Sequence, residues 1–537
     1  MMCGSTVCYR KQRLKAEKNG QLDNEAKFSH YIGYLHEKNG NFEEAVEEHK
    51  RAVRILEALS KKIDTAVGYR TLGECYCKQK EYKKALHLHD KYFLLARECN
   101  DVVEQQRALT TIGNTYLEQS SDRNLSIKTR QSISKKAEEA YLKSLQICDK
   151  IKGTINEKEY VDMRARNFYN LGLVYEVLED ANKSKDYLKK AVSLCQTCFR
   201  SHGLHEVLFI CQKALGEICI KEEDLDHAST FINSALDTVK KLKNKHLEIE
   251  CLLAKAQLLV LLKDFLGSKH QVKKAHKICF KDENEKLKIY ETYKAVKCME
   301  KTTKTLQKSE DMSAKIKCYD KLGDCAVDLK LFPLAIKFYR KELSTSLQNR
   351  PDKKDLVPIY ISLAQTSCDC GQYEKAIEYY KKEIECYGDD EFEQVCRSWL
   401  NIAAYEEKCD KSYNHVKLSY ANAYNTAKKA ENRRLQCRAL NCLIELFKYH
   451  KDDKLLKKTQ EQLDHIKQKY GVLDVDVEEE SQTIDEDNDD DGIVLSAIDD
   501  DEEMSDLTES EDDEMVVNTV RTVNRQGRRQ KELKVKV

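Results

Sequence analysis

The sequence predicts an all-α protein, a superhelical solenoid of eight to nine repeats of about 40 residues with a disordered acidic C-terminal tail. Three observations predict this fold class. A helix-pair pattern recurs at one spacing, helix-breaking residues are scarce, and acidic residues cluster near the C-terminus. With 34% charged residues but only 3 prolines and 18 glycines among 537, the composition is typical of long amphipathic helices.

The clearest copy of the repeat is Tyr69–Tyr92. An aromatic residue precedes a Leu-Gly pair at Gly73, Tyr76 follows, and the second half carries Ala85. This is close to the tetratricopeptide pattern, in which each half forms one helix. Gly73 and Ala85 are small because two helices cross closely there, and Tyr76 and Tyr92 are expected to fill the surrounding space.

The same pattern recurs along the chain with twelve residues between the small residue of the first helix and that of the second. The predicted packing pairs are Gly33/Ala45, Gly73/Ala85, Gly172/Ser184, Gly216/Ala228, Ala256/Ser268, Gly323/Ala335 and Ala364/Ala376, with Gly113/Ala137 holding twelve extra residues. Tyr76, Tyr116, Tyr175 and Trp399 belong to the same predicted packing set. Repeats mostly follow one another at 39–44 residues rather than the usual ~34, which predicts longer helices.

The domain organisation follows from these repeats and from two shifts in composition. Each repeat is expected to pack only on its neighbours, with capping helices at the end of the array. The predicted segments are 1–25 (leading helix), 26–279 (repeats one to six), 280–318 (an extra helix or a linker), 319–431 (repeats seven to nine), 432–470 (capping helices), 471–514 (acidic and disordered) and 515–537 (a basic disordered tail).

The net charge of zero conceals three regions of different charge. Residues 474–514 hold 22 Asp and Glu with no Lys or Arg, and residues 515–537 hold 7 Lys and Arg with one Glu, which leaves +16 on residues 1–473. A solvated Lys/Glu helix surface is favoured over a nucleic-acid surface, because most of these charges have an opposite neighbour three or four positions away. No direct sequence-specific nucleic-acid binding is expected.

The sequence holds no pattern typical of catalysis or of a cofactor site. It lacks a Gly-rich phosphate loop, a nucleophile elbow and paired catalytic carboxylates, so no catalytic residue and no cofactor is predicted. No apolar run is long enough to span a membrane, and the N-terminus lacks a signal peptide. The 22 cysteines therefore indicate small buried side chains in a reducing compartment.

Two His-containing patterns could hold a metal, and both are better explained by packing. His49 and His89 occupy one position in successive repeats, without evident further ligands. The compact set of Cys195, Cys198, His202 and His205 falls on one helix end and its turn, whereas zinc ligands usually come from two separated segments. No metal site is predicted.

The acidic run is the candidate histone-binding segment, because its acids alternate with short apolar anchors. The candidate residues are Asp489, Asp490, Asp491, Ile493, Leu495, Asp499, Asp500, Asp501, Glu502 and Glu503. A solubilising linker, or an intramolecular partner for the basic body, is the alternative. Thr508 and Ser510 precede acids and are candidate phosphorylation sites, where phosphate would add negative charge.

The chain resembles the N-terminal half of the Tonsoku-like protein family. The similarity is most specific at Glu104–Tyr116, Met163–Leu173, Asp264–Lys269 and Trp399–Ala403, and the acidic stretch also falls where that family has one. The resemblance covers essentially residues 10–530. The ankyrin repeats, ubiquitin-like segment and leucine-rich repeats that follow in the family are not among these 537 residues, so no histone-reading residue is carried over.

The resemblance implies a non-catalytic nuclear scaffold in homologous-recombination repair at replication forks. Its implied partners are a large fork-repair complex subunit, histones H3–H4, histone chaperones and the replicative helicase, and its implied location is chromatin at replication forks, with possible further presence in the cytoplasm. Two alternatives stay open: a cytoplasmic or cortical adaptor of the spindle-orientation type, and a generic tetratricopeptide scaffold that binds peptides.

Overall fold

The computed structural model describes residues 2–197, 204–279, 282–349 and 351–471. The elements formed by these residues are α-helices and one 3-10 turn, Lys353–Leu356, so the predicted all-α class is confirmed. The helices separate into two compact units, one ending at Cys251 and the other beginning at Leu252, and this boundary falls within helix α12.

The first unit consists of a single leading helix and then helix pairs joined by short turns. In each pair of this unit the even-numbered helix is called the first helix and the odd-numbered one the second helix. The bounds are α1 Met2–Lys18, α2 Leu22–Lys38, α3 Phe42–Ala58, α4 Lys62–Lys78, α5 Tyr82–Glu98, α6 Val102–Ser120, α7 Ile127–Lys150, α8 Glu157–Val177, α9 Ala181–Thr197, α10 Leu204–Lys221, α11 Leu225–Leu242 and α12 Lys245–Leu261.

The second unit continues the helix pairs, with one additional helix, α14, lying within the predicted extra segment 280–318. The bounds are α13 Phe265–Ile278, α14 Glu283–Lys308, α15 Met312–Asp328, α16 Phe332–Gln348, α17 Val357–Asp369, α18 Tyr373–Ile384, α19 Phe392–Lys408, α20 Tyr413–Lys429, α21 Arg433–His450 and α22 Asp453–Tyr470. No helix of the described ranges is both long and apolar enough to cross a membrane.

The 40-residue period of the first repeats comes from two equal halves. Helices α2 to α5 each contain 17 residues and are joined by three-residue turns. The turn residue with positive φ recurs every 20 positions, as Gly40 (φ 78°), Ser60 (φ 55°) and Lys80 (φ 62°). This left-handed residue ends one helix, because it directs the N–H of the following residue toward a carbonyl in the last turn of that helix. After Ser60, for example, Lys61 N donates to the Leu56 carbonyl at 3.1 Å.

In six helix pairs the crossing lies where a glycine of the first helix meets one large side chain of the second. A Cβ added to Gly33 would lie 2.7 Å from the His49 ring, and one added to Gly172 would lie 2.8 Å from Leu188. Such distances exclude a side chain unless the neighbour moves. The small residues are therefore required by close approach of the two helices.

Two of the predicted small positions carry serine for a specific reason. Ser184 Oγ donates to the Gly172 carbonyl at 2.8 Å, and Ser268 Oγ donates to the Ala256 carbonyl at 2.9 Å. Both serines are buried. The hydroxyl replaces an alanine methyl in the crossing and satisfies its hydrogen bond within the same helix pair.

Aromatic and sulfur-containing side chains complete the cores of both units. In the second unit Tyr405 stacks between Tyr373 and Tyr380, each with ring centroids 5.9 Å away. Trp399 is partly buried against the core of α19–α22. Cys75, Cys219, Cys251 and Cys325 are buried core residues, whereas Cys8 is exposed, so the expectation of buried cysteines holds for only part of the set.

Candidate binding face on the first helices

The predicted repeat-packing residues lie in the helix crossings rather than on an open surface. Tyr175 is 7% exposed, whereas Tyr76, Tyr116 and Trp399 are half-buried. The remaining members are buried, and these are Gly33, Ala45, Gly73, Ala85, Gly113, Gly172, Gly216, Ala228, Gly323, Ala335, Ala364 and Ala376. These positions hold the helices together, so a ligand-binding surface has to be formed by other residues.

Polar side chains connect the first helices of neighbouring repeats along the first unit. The contacts run from α2 to α12 and are Glu37–Cys75 (2.9 Å), Lys78–Glu118 (3.4 Å), Asn114–Asn170 (2.9 Å), Glu176–Lys221 and Lys213–Glu250 (2.5 Å). Each contact joins successive first helices. The solvent-accessible members of these pairs, which exclude the buried Cys75, are called here the first-helix face.

The centre of the first-helix face is the asparagine pair Asn114 and Asn170. Asn114 Oδ1 accepts hydrogen bonds from Asn170 Nδ2 at 2.9 Å and from Tyr141 OH at 2.7 Å. Asn114 is exposed and Asn170 is half-buried. This arrangement orients the amide group of Asn114 and the carbonyl oxygen of Asn170 for a ligand, and together they match the donor and acceptor of a peptide unit.

A buried polar network beneath this pair fixes the three helices that carry it. Ser144 Oγ on α7 accepts from Gln106 Nε2 of α6 and from Asn167 Nδ2 of α8, both at 2.9 Å. Thr110 Oγ1 donates to Asn167 Oδ1 at 3.2 Å. A satisfied network of this kind holds a unique helix arrangement, because each lost partner would leave a buried polar group.

The charged side chains next to the asparagine pair are largely neutralised by neighbours. Arg107 pairs with Glu104 in its own helix and with Glu159 of α8 at 2.7 Å. Arg166 contacts Asp162 at 3.0 Å and Glu206 at 4.0 Å. The face therefore presents polar hydrogen-bonding groups within a balanced charge pattern rather than a cationic patch.

The two histidines of the early repeats lie in the crossings, as the sequence indicates. His49 is 1% and His89 0% exposed, and their rings contact Gly33 and Gly73, respectively. His49 Nε2 lies 2.8 Å from Oε1 of Glu37. Burial, with the cation of Arg70 adding to it, lowers the pKa of His89 to about 4, so its ring is neutral at pH 7.

With the repeat geometry established, comparison with known proteins identifies the repeats. The tetratricopeptide repeat family matches residues 25–98, 165–198 and 359–392. Tonsoku-like proteins of Bos taurus and Mus musculus are each 30% identical over 437 residues, and that of Drosophila melanogaster is 30% identical over 350 residues. These matches cover 81%, 81% and 64% of the chain.

The chain is similar to Tonsoku-like proteins over most of its own length. It spans only 31% of the length of the Bos taurus and Mus musculus proteins and 24% of the Drosophila melanogaster one. The similarity to Tonsoku-like proteins and the repeat matches together confirm the predicted tetratricopeptide solenoid and support its character as a protein-interaction scaffold.

Two solved structures show more distant similarity to this chain. BtubC from P. vanneervenii is 16% identical with a TM-score of 0.37, and it covers 44% of this chain and 90% of its own. The apo form of RapI is 15% identical with a TM-score of 0.38, and it covers 61% of this chain and 99% of its own.

Several predicted sites of this chain lie outside the described residues. They are the acidic candidates from Asp489 to Glu503, the phosphorylation candidates Thr508 and Ser510, and Cys198 and His202 of the compact Cys/His set. Cys195 and His205 of that set are both buried, in α9 and α10. The histone-binding and phosphorylation assignments remain predictions.

The structure also identifies residues that the sequence did not single out as a site. Asn114 and Asn170 are 56 positions apart and meet only because α6 and α8 are neighbours. Glu37 and Cys75 are 38 positions apart and both reach the buried His49 region. One sequence signal points to the first-helix face. Asn114 directly follows Gly113, the small crossing residue of its first helix.

Proposed function

We propose that this chain acts as a non-catalytic scaffold in homologous-recombination DNA repair at replication forks. The single observation that carries the proposal is the 30% identity to Tonsoku-like proteins over 81% of the chain. Because the chain covers 31% of those relatives, the role of the whole family is extended here to its repeat array. Nuclear chromatin is the proposed location.

The first-helix face is the proposed docking surface for repair and replication factors. Tetratricopeptide arrays characteristically hold extended or helical peptides on their first helices. Asn114 and Asn170 offer a donor and an acceptor at positions fixed by Tyr141 and the buried Ser144 network. An extended segment of a large fork-repair subunit or of the replicative helicase would pair its peptide groups with these amides.

The acidic run supplies the second proposed interaction, with histones H3–H4 or their chaperones. Its 22 acids would neutralise Lys and Arg of histones, while Ile493 and Leu495 would add short apolar contacts. An attraction of this kind weakens with salt, because exposed charges are screened beyond about 8 Å at physiological ionic strength.

The acidic interaction is tested by titrating purified 1–537 and 1–473 with an H3–H4 complex. Residues 1–473 retain every described helix, since α22 ends at Tyr470. We expect tight, salt-sensitive binding by the longer chain and at least tenfold weaker binding by the shorter one. Equal affinity of the two chains would contradict the histone role of the acidic run.

The docking face is tested with the double variant Asn114→Ala, Asn170→Ala in the full chain. We expect it to lose its recruitment to nuclear foci after replication-fork stalling, because two peptide-binding amides are removed. Asn233→Ala is the matched control, since Asn233 is an exposed asparagine on the second helix α11. Normal foci with the double variant would contradict the proposed face.

The runner-up is a cortical adaptor of the spindle-orientation type, which would use the same repeats in the cytoplasm. Localisation separates the two functions. Nuclear foci after fork damage support the repair scaffold, whereas a cortical crescent in mitosis, without nuclear foci, would replace it with the adaptor.

A further inference from the structure

Three side chains of metal-binding type meet where the first two repeats join. Glu37 lies in the last turn of α2, His49 in the middle of α3 and Cys75 in the C-terminal half of α4. One carboxylate oxygen, one imidazole nitrogen and one sulfur all lie within 4.8 Å of one another. The packing of three helices thus brings three different ligand types to one point.

These three groups already bond to one another through Glu37. Its Oε1 lies 2.8 Å from His49 Nε2 and 2.9 Å from Cys75 Sγ. His49 and Cys75 are each 1% exposed, whereas the Glu37 side chain is 29% exposed. Glu37 therefore lies between solvent and the two buried groups. Because its carboxylate is partly exposed, an ion could reach the cluster from the side of Glu37.

We propose that Glu37, His49 and Cys75 bind one zinc ion, with a water molecule as the fourth ligand. Carboxylate, imidazole and thiolate are the zinc ligands of proteins, with bonds of about 2.0–2.3 Å. Tetrahedral ligand atoms then stand roughly 3.3–3.8 Å apart. The two spacings to Glu37, 2.8 and 2.9 Å, would have to widen by less than about 1 Å to hold the ion.

His30 lies beside His49 but is not one of the three residues whose ligand atoms lie within 4.8 Å of one another. The two ring centroids lie 5.1 Å apart, and His30 is half-buried on α2. Burial lowers the pKa of His30 and the neighbouring His49 lowers it further, which keeps the ring neutral. A neutral ring beside the site adds no positive charge that would oppose a bound cation.

The charges around the cluster also allow a cation. Burial alone would raise the pKa of Glu37, but the hydrogen bonds of His49 and Cys75 outweigh it, so the pKa lies below the ordinary value and the carboxylate is ionised. Arg70 is the nearby cation that acts on His30, and it pairs with Glu74 at 3.9 Å. Before zinc binds, the three groups are thus one anion and neutral donors, and deprotonation of Cys75 supplies a second anion.

Zinc binding at this cluster releases one proton. Burial and the Glu37 carboxylate raise the pKa of Cys75, so the metal-free residue is a thiol. Zinc replaces the S–H proton, which leaves to solvent, and forms a Zn–S bond with the thiolate. In the metal-free cluster the Nε2–H of His49 donates to the ionised Glu37 carboxylate, so zinc binding also moves this ring proton to Nδ1 and frees the Nε2 electron pair. Nδ1 is a buried atom without a hydrogen-bond partner in the described part of the chain.

The next repeat shows that the fold does not require this set. His89 packs on Gly73 as His49 packs on Gly33, but the residues 40 positions after Glu37 and Cys75 are Cys77 and Thr115. Both ring nitrogens of His89 lack a hydrogen-bond partner among the described residues. The second repeat therefore provides a matched position without the carboxylate.

The test titrates the purified full chain with zinc after removal of metal and reduction of its thiols. A chromophoric zinc indicator serves as the competitor. We expect one tightly bound zinc per chain and at least tenfold weaker binding by Glu37→Gln, which keeps the side-chain shape but removes the charge. Cys77→Ser, the matched thiol variant of the second repeat, should bind zinc within twofold of the wild type.

Cobalt provides a second readout that reports on the sulfur ligand. The wild type and Cys77→Ser should show the thiolate-to-cobalt absorption band, and Cys75→Ser should lack it. Zinc should also raise the Tm of the wild type but not of Glu37→Gln, since only a bound ligand stabilises the folded state. Circular dichroism checks that each variant is helical. If Cys75→Ser does not fold, the zinc affinity of Glu37→Gln alone tests the site.

Either of two results would overturn the site. One is a helical wild type that binds no zinc at micromolar concentration, which would make the cluster a hydrogen-bonded part of the core. The other is unchanged stoichiometry and affinity in Glu37→Gln, which would place the zinc on other cysteines of the chain.

Discussion

His49 and His89 occupy the same position in successive repeats, yet their surroundings differ. Each ring packs on a glycine of its first helix and is at most 1% exposed. His49 has a hydrogen bond with Glu37, whereas neither nitrogen of His89 has a partner among the described residues. The repeat requires only a bulky side chain at this position, and its polar neighbours determine any further role.

The pH dependence of stability should give the largest difference at this position. The pKa of buried His89 is about 4, below the ordinary 6.5, so the folded state favours the neutral ring. The stability that the neutral ring contributes is fully present above pH 6.5. As the pH falls from 6.5 to about 4, the free energy of unfolding decreases by about 3 kcal/mol. His89→Leu should remove that loss.

Urea unfolding of the wild type and His89→Leu at pH 7.5 and pH 4.5 measures this difference. Leucine suits the position, because Leu188 packs in the same way on Gly172 in the fourth repeat. Other acids titrate equally in both proteins, so the comparison isolates His89. An equal loss of stability in both proteins on acidification would contradict the assigned protonation state.

His49→Leu should destabilise the protein by about 1–3 kcal/mol at pH 7.5, because it removes the hydrogen-bond partner of the half-buried Glu37 carboxylate. Urea unfolding measures the change in the free energy of unfolding. The double variant His49→Leu, Glu37→Leu is the control and should recover part of the loss. No loss in the single variant would show that Glu37 is satisfied without His49.

Gly33→Ala and Gly73→Ala should each destabilise the chain by about 1–2 kcal/mol. The added Cβ would overlap the His49 or His89 ring, and this overpacking exceeds the gain of about 1 kcal/mol from alanine in a helix. Thermal unfolding followed by circular dichroism measures the effect. Similar losses at both sites would support one packing role, and a loss at only one would separate the two crossings.

The smallest expected effect is that of His89→Leu at pH 7.5. Replacing a buried ring that has no hydrogen-bond partner in the described structure should be neutral or stabilise the protein by up to about 1 kcal/mol. The opposite sign to His49→Leu is the useful result. A clear destabilisation would indicate that the His89 ring makes a polar interaction in solution.

The spacing of small residues was sufficient to predict the helix pairs. Close crossing of two helices excludes a Cβ at Gly33 or Gly172, so the small residues recur wherever the same geometry recurs. Serine at residue 184 fits this rule as well, because its hydroxyl bonds to the Gly172 carbonyl. A local steric requirement repeated along a chain is visible in the sequence itself.

The candidate sites could be predicted far less well. The histidines were recognised as buried, but their hydrogen-bonding neighbours were not. Glu37 reaches His49 from twelve residues away and Cys75 from another repeat. Likewise, Asn114 and Asn170 lie in the segments Glu104–Tyr116 and Met163–Leu173, yet nothing in their spacing shows that the two side chains hydrogen-bond to each other.

The sequence by itself determined the helical class, the repeats and the burial of their small residues, because these depend on periodicity and on sterics within one helix pair. Only the tertiary structure decided which polar groups meet across repeats, at Glu37–His49–Cys75 and at Asn114–Asn170. Those contacts depend on helix rotation and side-chain direction between first helices 38 or 56 residues apart, which no local pattern specifies.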